Sequence, residues 1–197
     1  MVFAKDRANE RKEWILSTYD PTAIAGLKPN GDVADRLCYS DFVNKELIHF
    51  SNADNIRSIP AAIDGLKPSQ RKVLYACFKR NLKAEIKVAQ LAGYCAEHTA
   101  YHHGEVSLHN TITNMAQDFV GSNNLPLLYP SGQFGTRLSG GKDSASPRYI
   151  FTKLMPYTRA IFPEIDDPLL QVRLAARRGC CNLLSTKCCQ SPHSHSS

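Results

Sequence analysis

The stretch 140–154, GGKDSASPRYIFTKL, sets Tyr149 directly after Arg148 and downstream of a glycine-rich, basic loop. A phenol ionises at about pH 10, so it attacks at neutral pH only where cations favour its phenolate. Arg148 is adjacent, and Arg137 and Lys142 are close in sequence. A tyrosine that attacks a DNA phosphodiester forms a phosphotyrosine ester, keeps the bond energy, and can reseal the strand by reversal. Guanidinium groups suit the pentacoordinate transition state because they pair with two oxygens at once. The ordinary alternative is a tyrosine that packs in a strand, and the Arg-Tyr pair alone leaves both open.

His102 and His103 are the second candidate. A histidine at a helix start can bind phosphate, or act as acid or base near neutral pH. The competing role is a capping or hydrogen-bonded histidine. His103-Gly104-Glu105 matches half of a zinc deaminase signature, but the P-C-x-x-C half is absent, which excludes that reading. Arg57, Asp64, Lys67 and Arg71 flank the turn DGLKP. Three cations and a carboxylate around a helix start can cradle a phosphate, or form a surface salt-bridge group. No G-x-x-x-x-G-K-[ST] occurs, so the glycines at 132, 135, 140 and 141 are not a P-loop. Cys38, Cys77 and Cys95 read as buried thiols. Cys180, Cys181, Cys188 and Cys189 are adjacent pairs, a poor spacing for one zinc even with His193 and His195 nearby.

These residues need elements to hold them. The chain has 197 residues, 43% of them hydrophobic, which supports a packed core. It shows no apolar run of membrane-spanning length and no secretory signal core. Ser40 is placed as the N-cap of a helix with Val43, Leu47 and Phe50 on one side. Pro68 suits the first position of a helix on which Val73, Leu74, Cys77 and Phe78 face the core, with Lys72, Lys79 and Arg80 outward. Helices are predicted over 87–100 and 101–119, with Leu108, Ile112, Met115 and Phe119 as the inner stripe of the second. RYIFTKL alternates as a strand, with Tyr149, Phe151 and Lys153 on one side. Helices followed by a loop and strand predict an α+β, mainly helical, winged-helix domain.

Net charge is +6, but residues 171–197 carry four cations and no acid, leaving +2 on the rest. Within that rest the cations cluster at 67–87 and 137–159, as a local polyanion surface or as solvated helix faces.

Several segments together resemble eukaryotic DNA topoisomerase II, a type IIA enzyme. They are NKELIHFSNADNIRSIPAAIDGLKPSQRKVLYACFKRNLKAEIKVAQLAG, TAYHHGE, AQDFVGSNN, GQFGTRLSGGKD and SPRYIFTKL, in that order. The likeness runs from about residue 38 to 170. It implies the winged-helix part of the breakage-reunion core. Tyr149 then stands at the nucleophile that joins the 5′ phosphate of a cleaved strand. Arg148 matches the arginine assisting at the scissile phosphate, and His103 the catalytic histidine. Arg57, Asp64, Lys67 and Arg71 match charged residues around the DNA and active centre.

The resemblance also implies double-stranded DNA as partner, a homodimer, no membrane, and a nuclear location. Mg²⁺ and ATP serve the complete enzyme, and both are expected on domains outside this chain. The division expected is a lead-in at 1–37 after a toprim region, a winged-helix domain at 38–170, and a divergent, disordered tail at 171–197. Residues 21–37 are expected to follow the family poorly. Alone, the chain is expected to lack complete activity. A non-catalytic DNA-binding or interfering product is the alternative function, and a partial gene model a third reading.

Overall fold

The computed structural model describes residues 2–26, 36–62 and 64–169, so the tail after Leu170 lies outside the described residues. Two compact units divide between Pro60 and Ala61. Residues 38–60, expected to join the winged helix, belong to the first unit.

That unit contains helix α1 (Ala8–Thr18). Helix α2 (Tyr39–Phe42) follows and runs through a π-helical turn (Val43–Leu47) into α3 (Ile48–Ser58). The helix starts one residue before Ser40, with Cys38 at its cap and no side-chain capping bond. Cys38 is exposed rather than buried. The wide π turn changes the rotation per residue. Ile48 is therefore the fully buried residue, while Phe50, expected on the inner side, is 67% exposed. Trp14 ties α1 to this helix, its Nε1 donating to Asn44 Oδ1 at 2.9 Å.

The second unit holds the main core. Helix α4 (Pro68–Lys79) starts with Pro68 in the first turn, where a missing N–H costs nothing. The Lys67 N–H donates to Gln70 Oε1 at 2.8 Å and closes that end. A short strand β1 (Ile86–Lys87) leads into α5 (Val88–His98), and α6 (Glu105–Ala116) follows. Leu74, Leu91, Leu108, Ile112, Leu128 and Ile150 are fully buried together. Burial also pushes the Cys77 thiol far up, with Cys95 adding to the shift. Phe119 falls outside the inner stripe because α6 ends at Ala116; it is only half-buried.

The wing is a three-stranded antiparallel sheet in the order β1-β3-β2. Strand β2 spans Leu128–Ser131 and the central β3 spans Phe151–Leu154. Pro130 faces Thr152 from the edge strand, the place where a residue without an N–H is tolerated. Thr152 is fully buried and its Oγ1 donates to Tyr129 O at 2.9 Å. Helix α7 (Thr158–Ile161) closes the unit, with Thr158 Oγ1 on Leu127 O at 2.7 Å. The domain is thus an α+β, mainly helical winged helix.

Candidate active site

Tyr149 lies in a turn just before β3, not in the strand. Its N–H donates to Ser146 O at 2.9 Å, so it cannot join the ladder, which begins at Phe151. Two amides of the α5 start clamp this turn from either side. Ala89 N–H donates to Pro147 O and Val88 N–H to Ile150 O, each at 3.1 Å. Ile150 is buried, which anchors the following residue as well. The backbone of Arg148 and Tyr149 is therefore held at both ends while the Tyr149 side chain is 77% exposed. Arg148 is exposed too and has no ion pair among the described residues. A fixed backbone with a free phenol and a free guanidinium is suited to meet a ligand from solution.

The turn 99–104 joins α5 to α6 and carries His102 and His103, both exposed. Helix α6 begins only at Glu105, so His103 precedes the helix rather than opening it. The His103 ring meets the edge of Tyr101 at 5.4 Å between centroids and lies 4.3 Å from that of His102. The two candidate groups thus belong to opposite ends of α5, whose first amides hold 147–150 and whose last turn runs into 99–104.

Asp64 and Arg71 find each other. Arg71 Nε and Nη2 donate to the two Asp64 oxygens at 2.7 Å each, and the Leu66 N–H adds a bond at 2.9 Å. The Arg71 and Asp64 side chains are 14% and 8% exposed. Burial works against the Asp64 carboxylate, but the Arg71 bonds, the Leu66 amide and the Arg71 charge outweigh it and lower its pKa. Lys67 stands exposed at the start of α4. Arg57 belongs to the first unit and pairs with Asp54 at the surface.

The basic stretches separate on folding. Lys153 pairs with Glu85 at 3.4 Å, and Arg159 with Asp167 at 2.9 Å while stacking over Phe78. Arg137, Lys142 and Arg148 remain exposed and, among the described residues, without ion pairs. Lys72, expected on the outer face of α4, is instead only 4% exposed. Its Nζ donates to Ala100 O at 3.3 Å, a partner 28 residues away that no helical spacing predicts.

Two further residues escaped the sequence. Asp143 Oδ1 and Oδ2 accept from the Thr136 N–H and hydroxyl at 2.8 Å each, and these bonds lower its pKa. Buried Gln117 donates from Nε2 to Phe134 O at 2.9 Å. The glycine-rich loop is thus organised by its own hydrogen bonds ahead of the Arg148–Tyr149 turn. The GGKD run was the available signal, but spacing does not say which backbone an aspartate will close.

The fold and these residues define a winged-helix module with an exposed tyrosine. The chain belongs to the family of the DNA gyrase/topoisomerase IV A-type chain, whose model matches residues 57–174. A model of the C-terminal associated domain of TOPRIM matches residues 1–55, including 21–37. Within the family the similarity is to the eukaryotic enzymes. The chain is 61% identical to the mitochondrial DNA topoisomerase 2 of Dictyostelium discoideum, over 86% of this chain and 13% of that protein. It is 59% identical to DNA topoisomerase 2-alpha of Cricetulus griseus, over 87% of this chain and 12% of that protein. A crystal structure of the Plasmodium falciparum topoisomerase II DNA-binding, cleavage and re-ligation domain superposes with a TM-score of 0.73. That match has 56% identity and covers 87% of this chain and 23% of the other. The chain therefore spans about an eighth of the curated relatives it matches.

Proposed function

We propose that this segment carries the strand-cleaving tyrosine of a type IIA DNA topoisomerase. The observation that carries the proposal is the Arg148–Tyr149 turn, with its backbone clamped to α5 and both side chains free toward solvent. The Tyr149 oxygen attacks the phosphorus of a strand, forming an O–P bond to the 5′ phosphate. The bond to the 3′ oxygen breaks, the phenol gives up its proton, and the 3′ oxygen takes one. Attack by that 3′ oxygen reverses the step. Arg148 pairs with the phosphate oxygens as charge builds. His103 acts beside the scissile phosphate, and Lys67 and Arg57 contact the backbone. The Asp64–Arg71 pair shapes the start of α4 next to Lys67.

On this reading the whole protein acts on double-stranded DNA as a homodimer in the nucleus, although one relative is named mitochondrial. ATP and Mg²⁺ would serve it outside this segment. Among the described residues no three His, Cys, Asp or Glu side chains gather to hold a metal, so no step is routed through one here. Among the same residues no helix is long and apolar enough to cross a membrane. The three free cations Arg137, Lys142 and Arg148 also suit a module that binds DNA without cutting it.

The test places residues 1–170 in the matching segment of the Dictyostelium relative. That chimaera, with Mg²⁺ and duplex DNA, is expected to give a protein–DNA adduct on a denaturing gel, and Tyr149→Phe to abolish it. An adduct that survives Tyr149→Phe sinks the assignment. Salt-sensitive binding with no adduct favours the binding module.

A further inference from the structure

We propose that Lys72 is a positioning residue, which sets the 99–104 turn so that His102 and His103 are presented correctly. The inference rests on the reading that His103 works at a phosphate. A lysine is rarely buried, because its ammonium loses water. Lys72 is 4% exposed in α4 and has no carboxylate partner among the described residues. What it has is the Ala100 carbonyl at 3.3 Å and the Tyr101 ring, 5.7 Å from Nζ to centroid. A carbonyl dipole and a ring face both favour a cation. The site also lies beyond the last turn of α5, where a positive charge meets the negative end of the helix dipole.

The turn itself needs such a hold. Thr99 ends α5, its Oγ1 donating to Cys95 O at 2.6 Å. Ala100 then adopts φ +48°, a left-handed conformation that costs a residue with a Cβ about 1–2 kcal/mol. That conformation orients its carbonyl toward α4 and lets Tyr101 fold back against the core. The Tyr101 ring stands edge-on to His103 at 76°. Lys72 thus grips the residue that reverses the chain and the ring against which the histidine rests. Arg71, one residue earlier, grips Asp64 from the same helix. Consecutive cations of α4 organise two separate loops.

The experiment compares wild type, Lys72→Met and Lys72→Arg. In the 197-residue chain, histidine ring and isoleucine methyl signals are followed by NMR. The chimaera gives the cleavage rate and the half-saturating DNA concentration. Lys72→Met is expected to move the His102 and His103 signals while the Ile112 and Ile150 methyls stay in place. Its cleavage rate at saturating DNA is expected to fall about 10–100-fold, as for a misplaced reacting group, with half-saturation changed by less than about twofold. Lys72→Arg, which restores a charged donor, is expected to recover most of both. If Lys72→Met does not fold, Lys72→Gln replaces it under the same criteria. Unmoved histidine signals overturn the proposal, as do isoleucine methyls that shift equally, or a loss seen only in DNA affinity. Histidine signals that answer to Lys72 in a system where wild type forms no adduct uphold the positioning role and refute strand cleavage.

Discussion

At Asp64 two opposing effects act on one carboxyl. Burial disfavours its charge, while Arg71 and the Leu66 amide favour it more, and the pKa is lowered. Its stabilisation is therefore fully present above the ordinary carboxylate pKa of about 3.9 and is lost as pH falls through the lower folded value. Asp64→Asn leaves the half-buried Arg71 without this carboxylate. We expect a loss of about 2–4 kcal/mol at neutral pH, measured by urea unfolding. The gap between wild type and variant should close well below pH 4. A gap that persists there would mean that Asp64 contributes by shape rather than charge. The spacing of Asp64 and Arg71 displayed both residues but not their mutual pairing, since seven residues across a turn admit many geometries. Lys72 was misread for a related reason. A helical wheel gives α4 one outer face, but Lys72, Val73, Leu74, Ala76, Cys77 and Phe78 are all buried.

Among the elements, the loop ahead of Tyr149 is the least forgiving. Gly135 has φ +107°, and a Cβ there would lie 2.6 Å from the Gly141 Cα. Backbone cannot swing aside as a side chain can. Gly135→Ala is expected to lower stability by about 2–4 kcal/mol, combining the left-handed conformation with overpacking. Gln117→Leu removes the donor to Phe134 O and leaves that buried carbonyl unsatisfied, for a loss of about 1–3 kcal/mol. Thermal unfolding of both variants checks these values. Changes under about 0.5 kcal/mol, the size of an ordinary surface substitution, would show that the loop repacks freely. The helices α4, α5 and α6 were legible from apolar spacing and from Pro68. Their ends, and the π turn at Val43–Leu47, were not, because hydrogen bonds outside the apolar pattern decide them.

For the molecule as a whole, folding sorts cations that composition only counts. Of the cations at 137–159, Lys153 and Arg159 are committed to Glu85 and Asp167, whereas Arg137, Lys142 and Arg148 face solvent. Replacing those three with Gln should reduce the slope of log K against log salt for duplex binding by roughly 3, by release of one counterion per phosphate contact. Replacing Lys153 and Arg159 should change the slope little. Equal effects from both sets, in fluorescence-anisotropy titrations, would place the DNA elsewhere.

Sequence alone was enough for the family, the winged-helix class and the candidate residues Arg148 and Tyr149. Those depend on residue types at fixed positions along the chain, and local order is what a sequence carries. Tertiary structure alone decided that Tyr149 stands in a turn clamped by α5, that Lys72 is buried beneath the histidine turn, and that Gln117 holds the glycine-rich loop. Each of these rests on a hydrogen bond between residues distant in sequence. Such a bond exists only once packing has removed water and brought donor to acceptor, and no spacing along the chain encodes that meeting.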